Sequence, residues 1–134
     1  MTTIETLKLK LLNTITLDDI IGAILYKSKE AAKPKSGALF QRTFFTLKAD
    51  NRFSSLLKEF VFDNSGVVPF SDELDSTLFR LEAAEILSTS NPSYDTYFKI
   101  VKEPLESSYN KFEDKKIIEE CASEFDQLLA KLSA

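Results

Sequence analysis

The chain has no histidine, no tryptophan, one cysteine and three glycines, and these shortages exclude most chemistry. Without histidine there is no imidazole general base, no imidazole metal ligand and no Ser-His or Cys-His nucleophile pair. A lone thiol, Cys121, makes neither an intramolecular disulfide nor a cysteine zinc site, and it suits a reducing compartment. Gly22, Gly37 and Gly66 are too scattered to build a phosphate-cradling loop, which excludes a P-loop or a dinucleotide turn. Long apolar runs are also missing. Glu5, Lys8 and Lys10 interrupt the first one, and nothing approaches the roughly 20 uncharged residues that a bilayer span needs. No cofactor, metal or membrane association is expected, and the cytoplasm of a microbe is the expected setting.

The ionisable groups that remain are chiefly carboxylates and amines. Asp72, Glu73 and Asp75 form one acidic cluster and Glu119 with Glu120 another. Neighbouring acids on a helix point apart, so both clusters read as helix-dipole partners or solvated faces rather than as an acid/base pair or a magnesium site. Cys121 falls on an apolar stripe and reads as a small buried hydrophobe rather than a reactive thiol. The expected protein is therefore not an enzyme.

What is present suits one globular domain over residues 1–134: a hydrophobic fraction of 43% against 28% charged residues is enough for a real core. Thr2-x-x-Glu5 resembles a capping box for a first helix carrying Ile4, Leu7, Leu11, Leu12 and Ile15, although residues 7–11 also alternate as a strand would. Thr16-x-x-Asp19 repeats the capping signal, and Leu17, Ile20, Ile21, Ile24 and Leu25 predict a helix running toward Ala32. Proline and glycine at 34 and 37 predict a loop over 33–37. A third helix follows through Leu39, Phe40, Phe44 and Leu47, closed by Asp50-Asn51. Phe53, Leu56, Leu57, Phe60 and Val61 predict a short fourth helix, ended by Gly66.

The stretch GVVPFSDELDSTLFRLEAAEILSTSNPSYDTYFKIV, residues 66–101, is the best-defined unit. Ser71 stands where an N-cap belongs, and Leu74, Leu78, Leu81 and Ala84 form an apolar stripe. The period then shortens at Ile86. Residues 86–89 predict a strand, 90–93 a turn and 94–101 an aromatic return strand. Beyond Pro104, the residues Phe112, Ile118, Cys121, Phe125, Leu128, Leu129 and Leu132 predict a long amphipathic C-terminal helix within 107–134.

A helix leading directly into a strand, a turn and a second strand resembles the second half of a winged-helix (helix-turn-helix) domain, with LFRLEAAEILSTSNPSYDTYFKI as recognition helix and wing. The resemblance spans about residues 53–101, with the 53–61 helix as the first of the helix-turn-helix pair. It implies a mainly α (α+β) winged-helix-like fold. GVVPFSDELDSTLFRLE is also similar to the Gly-x-Tyr-Ser-like turn of Panacea-type antitoxin domains, with Phe70 in place of the tyrosine.

Charge weighs on what such a fold would bind. Residues 1–65 carry a net +3 and residues 66–134 a net −7, together the −4 of the chain. The candidate recognition helix holds Asp72, Glu73, Asp75, Glu82 and Glu85 against Arg80 alone, a sign that repels the phosphate backbone. The expectation is thus a protein-interaction or regulatory module, with Arg80, Tyr94, Tyr97, Phe125, Leu128 and Leu132 as candidate partner contacts. A homodimer through the C-terminal stripe is expected, the alternative being that this helix folds back over its own N-terminal helices. A nucleic-acid-binding regulator or antitoxin would instead need the basic residues Lys27, Lys29, Lys33, Lys35, Arg42 and Lys48.

Overall fold

The structure is a computed structural model that describes residues 15–29, 33–34, 37–88, 96–97 and 99–133. It is mainly α. Among the described residues the helices are α1 (Leu17–Lys27), α2 (Gly37–Ala49), α3 (Asp72–Ala83), α4 (Leu105–Asn110) and α5 (Lys115–Ser133). The strands are two residues each: β1 (Lys33–Pro34), β2 (Leu87–Ser88), β3 (Thr96–Tyr97) and β4 (Lys99–Ile100). The expected helix and strand alternatives within residues 4–14 lie outside the described residues.

At the start of α1 the expected capping box forms. The Asp19 N–H donates to Thr16 Oγ1 at 3.1 Å and the Thr16 N–H to Asp19 Oδ2 at 3.0 Å, so two otherwise orphaned amides are satisfied. The helix then stops at Lys27 rather than running to Ala32. Ser28 turns extended, its hydroxyl donates to Asp126 of α5 at 2.5 Å, and Lys102 donates to its carbonyl at 2.6 Å. These bonds to distant residues take the groups that another helical turn would have used.

α1 is the centre of the packing. Asp19 through Leu25 are all buried, and α4, α5 and α3 each lie against it. Gly22 allows the close approach of α4: a Cβ there would come within 3.1 Å of Leu105 and 3.4 Å of Ser108 Oγ. Around α1 the apolar core continues through Phe40, Phe44 and Leu47 of α2 and Ile118, Cys121, Phe125 and Leu129 of α5. The Phe125 ring lies 5.2 Å from that of Phe44 and 6.1 Å from that of Phe40, within the spacing where aromatic pairs attract.

The segment 53–61 is not the expected fourth helix. It is a succession of turns in which Phe53 and Ser54 donate to the Asp50 carbonyl, Leu57 to Phe53 and Phe60 to Leu57. Ser54 and Ser55 favour such local turns over a helix interior. Phe53, Leu57 and Phe60 are nevertheless buried as their spacing requires. The C-terminal helix is likewise divided. α4 ends at Asn110, Phe112 turns inward, and Asp114 restarts the helix by accepting the Ile117 N–H at 3.2 Å.

α3 begins as expected, with Ser71 Oγ accepting the Leu74 N–H. Its position is fixed by Gln41, a buried α2 side chain that donates to the Ser71 carbonyl at 3.0 Å and accepts the Ser71 N–H at 2.7 Å. At its C-terminus Ile86 donates to the Leu81 carbonyl while Glu85 takes the left-handed conformation, φ 62°, that a helix end usually gives to glycine. Beyond it β2 pairs antiparallel with β4, Leu87 opposite Ile100, and β1 pairs antiparallel with β3, Lys33 opposite Tyr97. Within the expected return strand over 94–101, residues 96–97 and 99–100 are strand and serve different neighbours, Val101 is not strand, and residues 94, 95 and 98 lie outside the described residues. The expected loop at 33–37 includes the strand pair 33–34 and ends as the first residue of α2 at Gly37. No continuous hairpin forms among the described residues.

Gln41→Ala should leave both backbone groups of Ser71 buried without their partner and cost about 1–3 kcal/mol. Thermal unfolding checks this, with the exposed neighbour Arg42→Ala expected to change stability by less than about 0.5 kcal/mol. Acid sensitivity should trace to α1. Burial raises the Asp19 pKa, but bonds from Lys111, Thr16 and Ser108 outweigh it and hold the carboxyl below its ordinary value; Arg80 and then Thr77 do the same for Asp18 against the opposing effect of burial. A depressed folded pKa gives stability that is complete above about pH 5 and drains away as pH falls below about 4. Chemical denaturation between pH 6 and 2 should show this loss, and Asp19→Asn should flatten it.

Candidate interaction surface

Of the residues proposed from sequence as partner contacts, those whose side chains are described do not converge. Arg80 is exposed on α3, yet its guanidinium is held by Asp18 of α1 through bonds of 2.8 and 2.6 Å, with Thr77 at 3.3 Å. It braces two helices. Tyr94 lies outside the described residues, and of Tyr97 only the β3 backbone is described. Phe125, expected on a partner-binding stripe, is 0% exposed between α5 and α2, Leu128 is half-buried, and Leu132 is 39% exposed. The apolar stripe of α5 is largely covered by α1 and α2 of its own chain, which removes the reason given for a dimer through it.

The basic residues whose side chains are described are also dispersed. Lys27 pairs with Glu119 at 3.4 Å and stands over the Tyr109 ring, while Lys48 donates to the Phe60 carbonyl at 2.6 Å. Lys29 and Arg42 are exposed on different elements. The Lys33 side chain and the whole of Lys35 fall outside the described residues.

The arrangement that sequence reasoning missed lies along the outward side of α3. Asp72, Asp75, Phe79 and Glu82 recur at spacings of three and four and are all exposed, Phe79 by 70%. Beside them a cleft of about 610 Å³ opens between α3 and the N-terminal end of α2. Buried Phe40 and Leu78 lie at its base, and Gly37, Asp75, Ser76, Phe79, Arg80 and Glu82 line its side. The available signal was a phenylalanine lying off the leucine stripe of an amphipathic helix, among acids. Three more exposed apolar residues, Val61, Val67 and Phe70, lie on the long connection before α3.

A further cleft of about 750 Å³ lies where the end of α1 meets Lys102 and α5. Several of its polar groups bond to one another: Lys102 donates to the Ser28 carbonyl, Asp126 accepts from the Ser28 hydroxyl and the Lys29 N–H, and Glu119 pairs with Lys27. Among the described residues no group of three or more Cys, Asp or Glu side chains is placed to hold a metal ion, and no helix is long and apolar enough to cross a membrane.

Comparison with protein-family models, with curated proteins and with solved structures finds no match for this chain.

Cys121 is fully buried on α5, and desolvation pushes its thiol up to about 12. The native chain should therefore give almost no reaction with a thiol reagent such as DTNB at pH 8 and release one equivalent on unfolding. Rapid native labelling at that pH would show that α5 opens readily.

Proposed function

We propose that this chain is a non-catalytic protein-interaction module on a winged-helix-like scaffold, in which the helix at the recognition position serves a protein rather than a nucleic acid. The scaffold reading draws support from α3 leading into β2, from the antiparallel pairing of β2 with β4, and from β1 lying against β3 of the same return segment. In this reading α2, and not the 53–61 segment, is the helix that precedes the recognition helix.

One observation carries the choice of partner class. α3 holds four acids against the single cation Arg80, and that cation is committed to Asp18. A helix of this sign meets the phosphate backbone with repulsion, which removes the main source of nucleic-acid affinity. An exposed aromatic side chain, by contrast, is the residue type that anchors protein interfaces. The nucleic-acid alternative is weakened because Lys27 and Lys48 are engaged within the chain.

Two experiments test the reading. A mixed-sequence DNA duplex should not be retarded at physiological salt by about 10 µM protein; a salt-sensitive shift lost on Lys33→Gln with Lys35→Gln would favour the nucleic-acid alternative. Photo-crosslinking with p-benzoylphenylalanine in place of Phe79 should capture a discrete protein from the source cell's extract, displaced by excess unmodified chain. The same probe in place of Val67, which is 95% exposed, should not. Equal capture from both positions would overturn the assignment to α3.

A further inference from the structure

The cleft beside α3 has a shape and a charge that together describe an occupant. Its base is apolar, with Leu78 and Phe40 both buried beneath it, and Phe79 stands at its rim with most of its ring in water. The hydrophobic effect penalises that exposure, and α3 already buries a complete face through Leu74, Leu78 and Leu81. Phe79 thus adds nothing to the core that would offset its cost. The volume of about 610 Å³ falls within the range of roughly 300–1,000 Å³ that ligand-binding clefts take.

The charged groups lining the cleft are Asp75, Glu82 and Arg80, and the Arg80 guanidinium is held by Asp18. Acids at the N-terminus of α3 complement its dipole, but Glu82 stands in the last turn and Glu85 follows beyond it, where negative charge opposes the dipole. Glu85 also takes a left-handed conformation, φ 62°, that is unfavourable for a non-glycine residue. Asp75, between the two ends, is exposed and makes no ion pair among the described residues.

We infer that this cleft receives a cationic segment of another protein, one apolar side chain of which enters between α2 and α3 against Phe79 while a flanking lysine or arginine faces Asp75. The inference rests on the protein-interaction reading above and adds the chemistry of the partner. Complementary charge fixes the orientation and speeds encounter, and the apolar contact supplies the affinity.

The probe is a fluorescein-labelled peptide, Gly-Lys-Lys-Leu-Lys-Lys-Gly, followed by anisotropy at about 0.15 M salt, where the screening length is about 8 Å, and by amide chemical-shift mapping of the whole chain. Saturable binding should perturb Gly37, Ser76 and Phe79 first. Replacing the peptide leucine by alanine, or Phe79→Ser in the protein, should weaken binding about tenfold or more. Asp75→Lys should lose the lysine peptide and gain its glutamate counterpart, a reversal that a merely structural role for Asp75 would not produce. Circular dichroism of both variants should match the parent.

Several outcomes would overturn the inference. They are perturbations centred elsewhere, equal affinity for the glutamate peptide, or indifference to the leucine. Concentration-dependent self-association abolished by Phe79→Ser would assign the cleft to a second copy and likewise overturn it. If the peptide fails while crosslinking from position 79 still captures a protein, only the cationic chemistry is wrong; failure of both removes the interaction reading as well.

Discussion

The burial of α1 is the constraint from which the other contacts follow. An isolated helix of eleven residues is marginal in water, so its stability must come from neighbours on several sides. Once seven successive positions are inside, any polar group among them or at the helix ends has to find a partner within the protein, because an unpaired one is costly. Asp19 finds Ser108 and Lys111 as well as its own cap. Ser28 finds Asp126 and Lys102, and Asp18 finds Arg80 and Thr77. Each bond reaches a different part of the chain, so satisfying α1 locks α3, α4 and α5 around it. Among the described residues no buried side-chain nitrogen or oxygen is left without a partner.

The same constraint decides which side of α3 meets solvent. Arg80 and Thr77 tie that helix to α1, and Gln41 ties its first residue to α2. With Leu74, Leu78 and Leu81 turned inward, the positions three and four residues apart from Asp72 onward can only face out. The acidic and aromatic side is therefore a consequence of where α3 is held. No local motif had to encode it.

What the sequence disclosed and what it hid divide by range. The Thr16 box, the Ser71 cap and the 37–49 helix depend on residues within one or two turns, and all three were legible. The end of α1 was not, because Ser28 is taken by residues about 74 and 98 positions away. The 53–61 segment had the right apolar spacing for a helix, yet three buried anchors can be supplied equally well by turns. Phe125 was correctly placed on an apolar stripe, but periodicity says only that a face is buried. It does not say whether the cover comes from the same chain, and here Phe40 and Phe44 provide it. Phe79 was readable as an outlier from the leucine stripe, but only the position of α2 makes it the rim of a cleft.

The charge asymmetry of the two halves survives folding. Among the described residues four ion pairs join them: Asp18 with Arg80, Asp19 with Lys111, Lys27 with Glu119 and Arg52 with Glu124. Each half contributes two anions and two cations to these pairs, so the contacts cancel without altering the net +3 of residues 1–65 or the net −7 of residues 66–134. The packing that makes the fold cohere leaves the acidic excess of the second half uncancelled. Its most regular display is Asp72 and Asp75 on the outward side of α3, with Glu85 just beyond the helix end. A surface of this sign repels polyphosphate, and the aromatic rim of the apolar cleft beside it sets a shape as well as a charge for anything that meets it.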